Sequence, residues 1–196
     1  KQLASVMTFG QFVKAIASFV APIIASWAAI QFEDWKMHFP IFMVVSVIAV
    51  LALGVTRIEE TKSETTTFGQ CFKLLGNKFV FLSFLGIMCH VGIDVGTNVT
   101  APKILMERIN FSLGDAAFAT SVYFLFRTIG CFSGSFILSK VSAKVFFIIG
   151  VLSMALGMAG IVLANSVVMI YICVGLIGFG NSNIFPIILS QAMLQF

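Results

Sequence analysis

Long apolar runs with almost no charge inside them constrain this chain more than any other feature. "IFMVVSVIAVLALGV" (41–55) and "VFFIIGVLSMALGMAGIVLA" (145–164) hold no ionisable residue. A run of roughly 20 apolar residues crosses a hydrocarbon core about 30 Å thick. Within that core every backbone N–H and C=O must bond inside the protein, which leaves helices or closed barrels. Barrel strands alternate apolar and polar residues, and these runs do not. The chain therefore reads as an all-α polytopic membrane protein. Composition agrees: 59% of residues are hydrophobic and 10% are charged, against about 25% charged in soluble domains.

Six spans are expected, over 3–29, 39–56, 79–100, 116–138, 144–164 and 167–194. Pro40 suits the first turn of the second, and Ser112 with Asp115 resembles a capping box opening the fourth. Trp27 and Trp35 bracket the first loop, where indoles suit a membrane interface. Lys1, Arg57, Lys62, Lys73, Lys78, Lys140 and Lys144 fall on one side of this topology, and Lys36, Lys103 and Arg108 on the other. The excess of basic residues places the first group in the cytoplasm. Residues 57–78 then form a long polar cytoplasmic linker, partly helical and lying on the membrane surface. Cys71, Cys89, Cys131 and Cys173 are widely spaced and read as packing residues rather than metal ligands. The chain opens at Lys1 with no signal-peptide pattern and ends while still apolar, so it reads as a piece of a longer protein.

Each charge at the centre of a spanning helix costs roughly 2.5–3.5 kcal/mol on insertion scales, so Lys14, Asp94 and Arg127 each need a reason. In "MCHVGIDVGTNV", His90, Asp94 and Asn98 recur every four residues and form one stripe. Gly92 and Gly96 lie opposite, a small-xxx-small pair suited to close approach of another helix. The stripe is either a solute-facing surface or a buried hydrogen-bond network. In the fourth span Thr120, Tyr123 and Arg127 align. Arg127 suits an ion pair with Asp94 or a bond to a solute hydroxyl or carboxylate. In the first span Gln11, Lys14 and Ser18 align, with Lys14 too deep to snorkel easily. In the sixth, "GFGNSNIFP" (178–186) places Asn183 and Ser190 on one face, Gln191 at its edge, and Asn181 about 200° away from Asn183 on a regular helix. The two asparagines share a surface only if the helix breaks. Gly178, Gly180 and Pro186 favour such a break, which exposes backbone groups to a wet or protein-lined site. Interhelical packing is the other reading of both asparagines. The second and fifth spans look like lipid-facing supports.

These residues carry a resemblance. Two spans, a long cytoplasmic linker and four more spans resemble helices five to ten of the twelve in the major facilitator superfamily. The loop "SFILSKVSAK" is similar to a degenerate copy of that superfamily's cytoplasmic motif. There Ser135, Ser139, Lys140, Ser142 and Lys144 stand where the motif has glycine, aspartate, arginine, glycine and arginine. "GFGNSNIFPIILSQA", "TFGQFVKAIASFVAP" and "HVGIDVGTN" resemble the tenth, fifth and seventh helices of the fucose/glucose–galactose permease family of sugar–proton symporters. The resemblance implies that 1–56 ends an N-terminal half, that 57–78 links the halves, and that 79–196 opens a C-terminal half. It places Asp94, Asn98, Asn181 and Asn183 on cavity-facing helices, and Gln11, Lys14 and Arg127 at the contact between halves. It also implies a proton as coupling ion, a multi-pass bacterial inner-membrane location, and further helices of the same chain.

The expected solute is a small-molecule sugar, bound by Asp94, Asn98, Asn181, Asn183 and Gln191, with Gln11, Lys14, His90 and Arg127 along the pathway or in charge pairs. Amide side chains both donate and accept, as sugar hydroxyls require. The alternatives are a same-fold transporter for a drug or organic anion and a non-transporting sugar sensor. No HExxH, GxSxG or cysteine/histidine cluster points to an enzyme. No metal or organic cofactor and no nucleic-acid partner is expected, and the partners are the lipid bilayer and the solute, with the protein itself a monomer.

Overall fold

The computed structural model describes residues 2–57 and 67–194. Lys1, Lys62 and the linker residues 58–66 lie outside the described residues. The elements are α1 (Gln2–Phe32), a 3₁₀ turn (Trp35–Met37), α2 (His38–Val55), α3 (Phe68–Leu74), α4 (Lys78–Ile109), α5 (Leu113–Ala116), α6 (Phe118–Lys140), α7 (Ala143–Leu163), α8 (Val167–Asn181) and α9 (Ile184–Met193). Among the described residues six segments are long and apolar enough to cross a membrane. The protein is an integral, multi-pass, all-helical membrane protein.

Two compact units form, one from Lys1–Phe19 with Leu74–Phe196 and the other from Val20–Lys73. In the second unit α2 has no buried residue, as expected of a lipid-facing support. The short helix α3 lies in the expected linker.

In the first unit α8 is the central post, packed between α6 and α7 and touching α4. Glycines make this packing possible. A Cβ on Gly150 of α7 would lie 2.8 Å from the Gly180 carbonyl, and one on Gly157 would lie 2.7 Å from the Cys173 carbonyl. A Cβ on Gly178 of α8 would run into the backbone carbonyl of Tyr123. Close backbone approach of this kind supplies van der Waals contact where no hydrophobic effect drives helices together. By contrast, Gly92 and Gly96 of α4 meet no atom within 4 Å. Among the described residues no helix packs on them, and α4 reaches α8 through its neighbouring face, where Thr97 and Ala101 are buried.

Helix ends follow side-chain chemistry. Asn77, Ser142 and Ser166 cap α4, α7 and α8 by accepting from backbone N–H groups. The hydroxyl of Ser112 accepts from the Asp115 N–H at 3.2 Å and donates to its carboxylate at 2.7 Å. This cap opens the one-turn α5, with which the fourth span begins. Arg108 donates to the carbonyls of Val162 at 3.1 Å and Ala164 at 3.0 Å, partnering carbonyls that the end of α7 leaves free.

Two prolines act through the carbonyl four residues back, which they leave without a helical donor. The third span, expected over 79–100, runs on through Pro102 to Ile109. The freed carbonyl of Asn98 accepts from the Thr120 hydroxyl at 3.4 Å. Pro186 frees the carbonyl of Ser182, which accepts from the Cys131 thiol at 3.3 Å. There the helix does break. The expected sixth span is two helices, α8 and α9, separated by Ser182 and Asn183.

Candidate functional site

The three intramembrane charges converge. Asp94 lies 16 residues from Lys78 and 15 from Ile109, and Arg127 lies 13 residues from both ends of its span, Gly114–Lys140. Both are therefore at mid-depth. The Arg127 Nη1 donates to Asp94 Oδ2 at 2.6 Å, and the arginine side chain is only 6% exposed. Lys14 joins them from α1: Gln11, Lys14, Ser18, Asp94, Phe124 and Arg127 line one cavity of about 80 Å³. The α1 segment is held there by small buried residues, Ala4, Thr8 and Ala15. The Ser5 hydroxyl bonding the Ser135 carbonyl and the Phe12–Phe132 ring contact at 5.1 Å add to this seam.

On α4 the stripe is real. Asn98 Nδ2 donates to the Asp94 carbonyl at 2.8 Å and reaches its carboxylate at 3.4 Å, so it steadies the acid. His90 is buried, stacks on Phe185 of α9 with centroids 6.1 Å apart, and sits within electrostatic reach of Asp94, Arg127 and Lys14.

The α8–α9 break brings Asn181 and Asn183 to one neighbour. Asn181 Nδ2 donates to the Tyr123 hydroxyl at 2.7 Å, and Asn183 Nδ2 donates to the Gly130 carbonyl at 2.9 Å. Tyr123 and Gly130 are seven residues, two turns, apart on α6. Asn183 also fills the space that a side chain on Gly134 would occupy. It is therefore wedged between α9 and α6, outside the cavity of the charged trio. Gln191 is exposed and lines a separate, larger cleft of about 590 Å³ with Leu3, Phe79, Leu138, Lys144 and Leu194. That cleft gathers the ends of α1, α4, α6, α7 and α9 that the basic-residue count assigns to the cytoplasm.

The described buried side-chain atoms without a hydrogen-bond partner are Thr8 Oγ1, His90 Nδ1 and the amide oxygens of Asn98, Asn181 and Asn183. Four of these five residues are among those the sequence singled out. Buried polar atoms without a partner call for an explanation, with an ordered water among the common ones. Sequence reasoning did not single out Tyr123 as a site residue or Thr8 at all. Tyr123 carried a signal, its place one turn before Arg127 on the same face. Thr8 carried none beyond its position on the Ala4–Ala15 face.

The model of the Major Facilitator Superfamily matches residues 1–196, the whole chain. The chain belongs to this superfamily. No curated protein and no solved structure matches it. This major facilitator protein is thus a member of a transporter superfamily.

Proposed function

We propose that this chain is part of a secondary active transporter for a hexose, driven by proton symport through alternating access. The observation that carries the reading is the mid-membrane cavity lined by Gln11, Lys14, Ser18, Asp94 and Arg127, with Asn98 bonded to Asp94 beside it. A polyhydroxylated solute can donate to and accept from such polar walls without the desolvation cost that added charge brings. Asp94 and Asn98 are the proposed sugar contacts, with Gln191 at the cytoplasmic approach, while Asn181 and Asn183 brace the broken helix against α6. Gln11, Lys14, His90 and Arg127 line the pathway.

The broken α8–α9 helix supports the same reading. Discontinuous helices near mid-membrane are the recurrent binding elements of secondary transporters. Residues 1–56 close one half, 57–78 link the halves and 79–196 open the second, with further helices of the chain forming the opposite wall. A bacterial inner membrane is the proposed location, with the linker on the cytoplasmic side. The proton as coupling ion follows from the resemblance to sugar–proton symporters.

Uptake of labelled hexose by vesicles containing the full-length protein tests the proposal. Accumulation against a gradient under an imposed proton gradient is expected. Uptake indifferent to that gradient removes symport, and absent uptake of every hexose removes the substrate class. Saturable hexose binding without translocation identifies a sensor.

A further inference from the structure

The cavity between α1, α4 and α6 holds more positive than negative charge. Its charged walls are Lys14, Arg127 and Asp94. The single carboxylate is already engaged: Oδ2 by Arg127 at 2.6 Å and Oδ1 by Asn98 at 3.4 Å. Among the described residues Lys14 has no ion pair and no side-chain hydrogen bond, and its backbone carbonyl accepts from Ser18 at 3.1 Å. Two cations line the cavity against one committed carboxylate, and Lys14, exposed on α1, carries the positive charge left uncompensated. Ionisable groups in a membrane pair with one another or mark a solute path.

We infer that this cavity is a binding site for one carboxylate group, held between the Lys14 ammonium and the Arg127 guanidinium. The donor set fits. The guanidinium presents five N–H groups in a planar fork matched to carboxylates, and Asp94 engages it through Nη1. Lysine supplies three rotatable donors, and the Gln11 amide adds a neutral one from the same wall. Size fits as well. A cavity of about 80 Å³ has room for more than a single water, and so for a compact group such as a carboxylate. Asp94 then has two roles: it keeps Arg127 oriented and it lowers the site to a single net charge, which favours a monovalent anion over a divalent one. The carboxylate has two sources, an acidic sugar whose ring lies outside the cavity or a free small carboxylate. This inference does not rest on the hexose reading.

The test uses full-length protein in nanodiscs at constant ionic strength. Sodium acetate, sodium glucuronate and neutral glucose are titrated, with thermal stabilisation as the readout, for wild type, Lys14→Gln and Lys14→Arg. Saturable stabilisation by a carboxylate is expected, with a midpoint weakened roughly tenfold or more in Lys14→Gln, the loss of one charge-assisted contact, and restored in Lys14→Arg. Glucuronate binding far tighter than acetate assigns the group to an acidic sugar, and equal midpoints assign it to a free anion. The inference is overturned if no carboxylate saturates. It is equally overturned if Lys14→Gln alters basal stability while leaving the midpoint in place, since Lys14 then serves an acid elsewhere in the chain. Hexose uptake measured on the same preparations reports separately on the transport reading.

Discussion

Replacing Asp94 by asparagine keeps its shape and removes its charge, leaving the Arg127 guanidinium buried without a carboxylate. Breaking a buried pair by removing one partner costs about 3–5 kcal/mol. The Asp94 side chain is 23% exposed toward the cavity, so solvent already screens part of the attraction, and the lower end, about 3 kcal/mol, is expected. Arg127→Gln strands the acid instead. That acid still has Asn98 and the nearby Lys14, so the loss is smaller, about 2 kcal/mol. The double variant carries neither stranded charge and is expected within about 1 kcal/mol of wild type, because neutral replacement of a buried pair is often tolerated. For a protein of this size 1 kcal/mol moves Tm by roughly 2–4 °C. Thermal unfolding of the purified protein in detergent, followed by size-exclusion fluorescence, resolves such differences. The decisive quantity is the coupling between the two sites. If the double variant is as unstable as the two single losses together, Asp94 and Arg127 are not energetically paired and the charged trio is not a unit.

Tyr123→Phe removes the hydroxyl that accepts from Asn181 and leaves a buried amide unpaired, so a loss of about 1–3 kcal/mol is expected in the same thermal assay. Gly178→Ala drives a methyl group into the Tyr123 carbonyl and should cost about 1–3 kcal/mol, whereas Gly96→Ala, with open space at its Cβ, should leave Tm unchanged. Pro186→Ala restores an N–H able to bond the Ser182 carbonyl and compete with Cys131. Folded protein with reduced solute uptake is expected, and full uptake would show that the break serves no transport step. Ser142→Cys and Glu107→Cys should label with an impermeant maleimide from opposite sides of intact cells, Ser142→Cys only after permeabilisation. Labelling of both from one side refutes the orientation.

Much of the site was legible in the chain because charge in hydrocarbon is costly enough to be informative wherever it stands. Lys14, Asp94 and Arg127 could be picked out one by one, and their stripes followed from helical periodicity. The pairing of Asp94 with Arg127 was one option among several in the sequence; the distance decided it. The break at Ser182–Asn183 was foreshadowed by Gly178, Gly180 and Pro186. Its effect was left between two readings, and the structure takes the packing one: both asparagines turn to α6, and Asn183 lies outside the charged cavity.

By itself, then, the sequence determined that this protein lies in a membrane, how many times the described chain crosses it, and which side chains had to find polar company there. Those outcomes depend on local hydropathy and on period, which neighbouring residues set. Only the tertiary structure decided which companions they found, because glycine contacts and proline-freed carbonyls join helices far apart in the chain. Nothing in the local pattern of "GIDVGTN" says that Gly92 and Gly96 stay uncovered while Thr97 is buried. That choice depends on how α4 rotates against α8, and the rotation is set by the fit of both surfaces together.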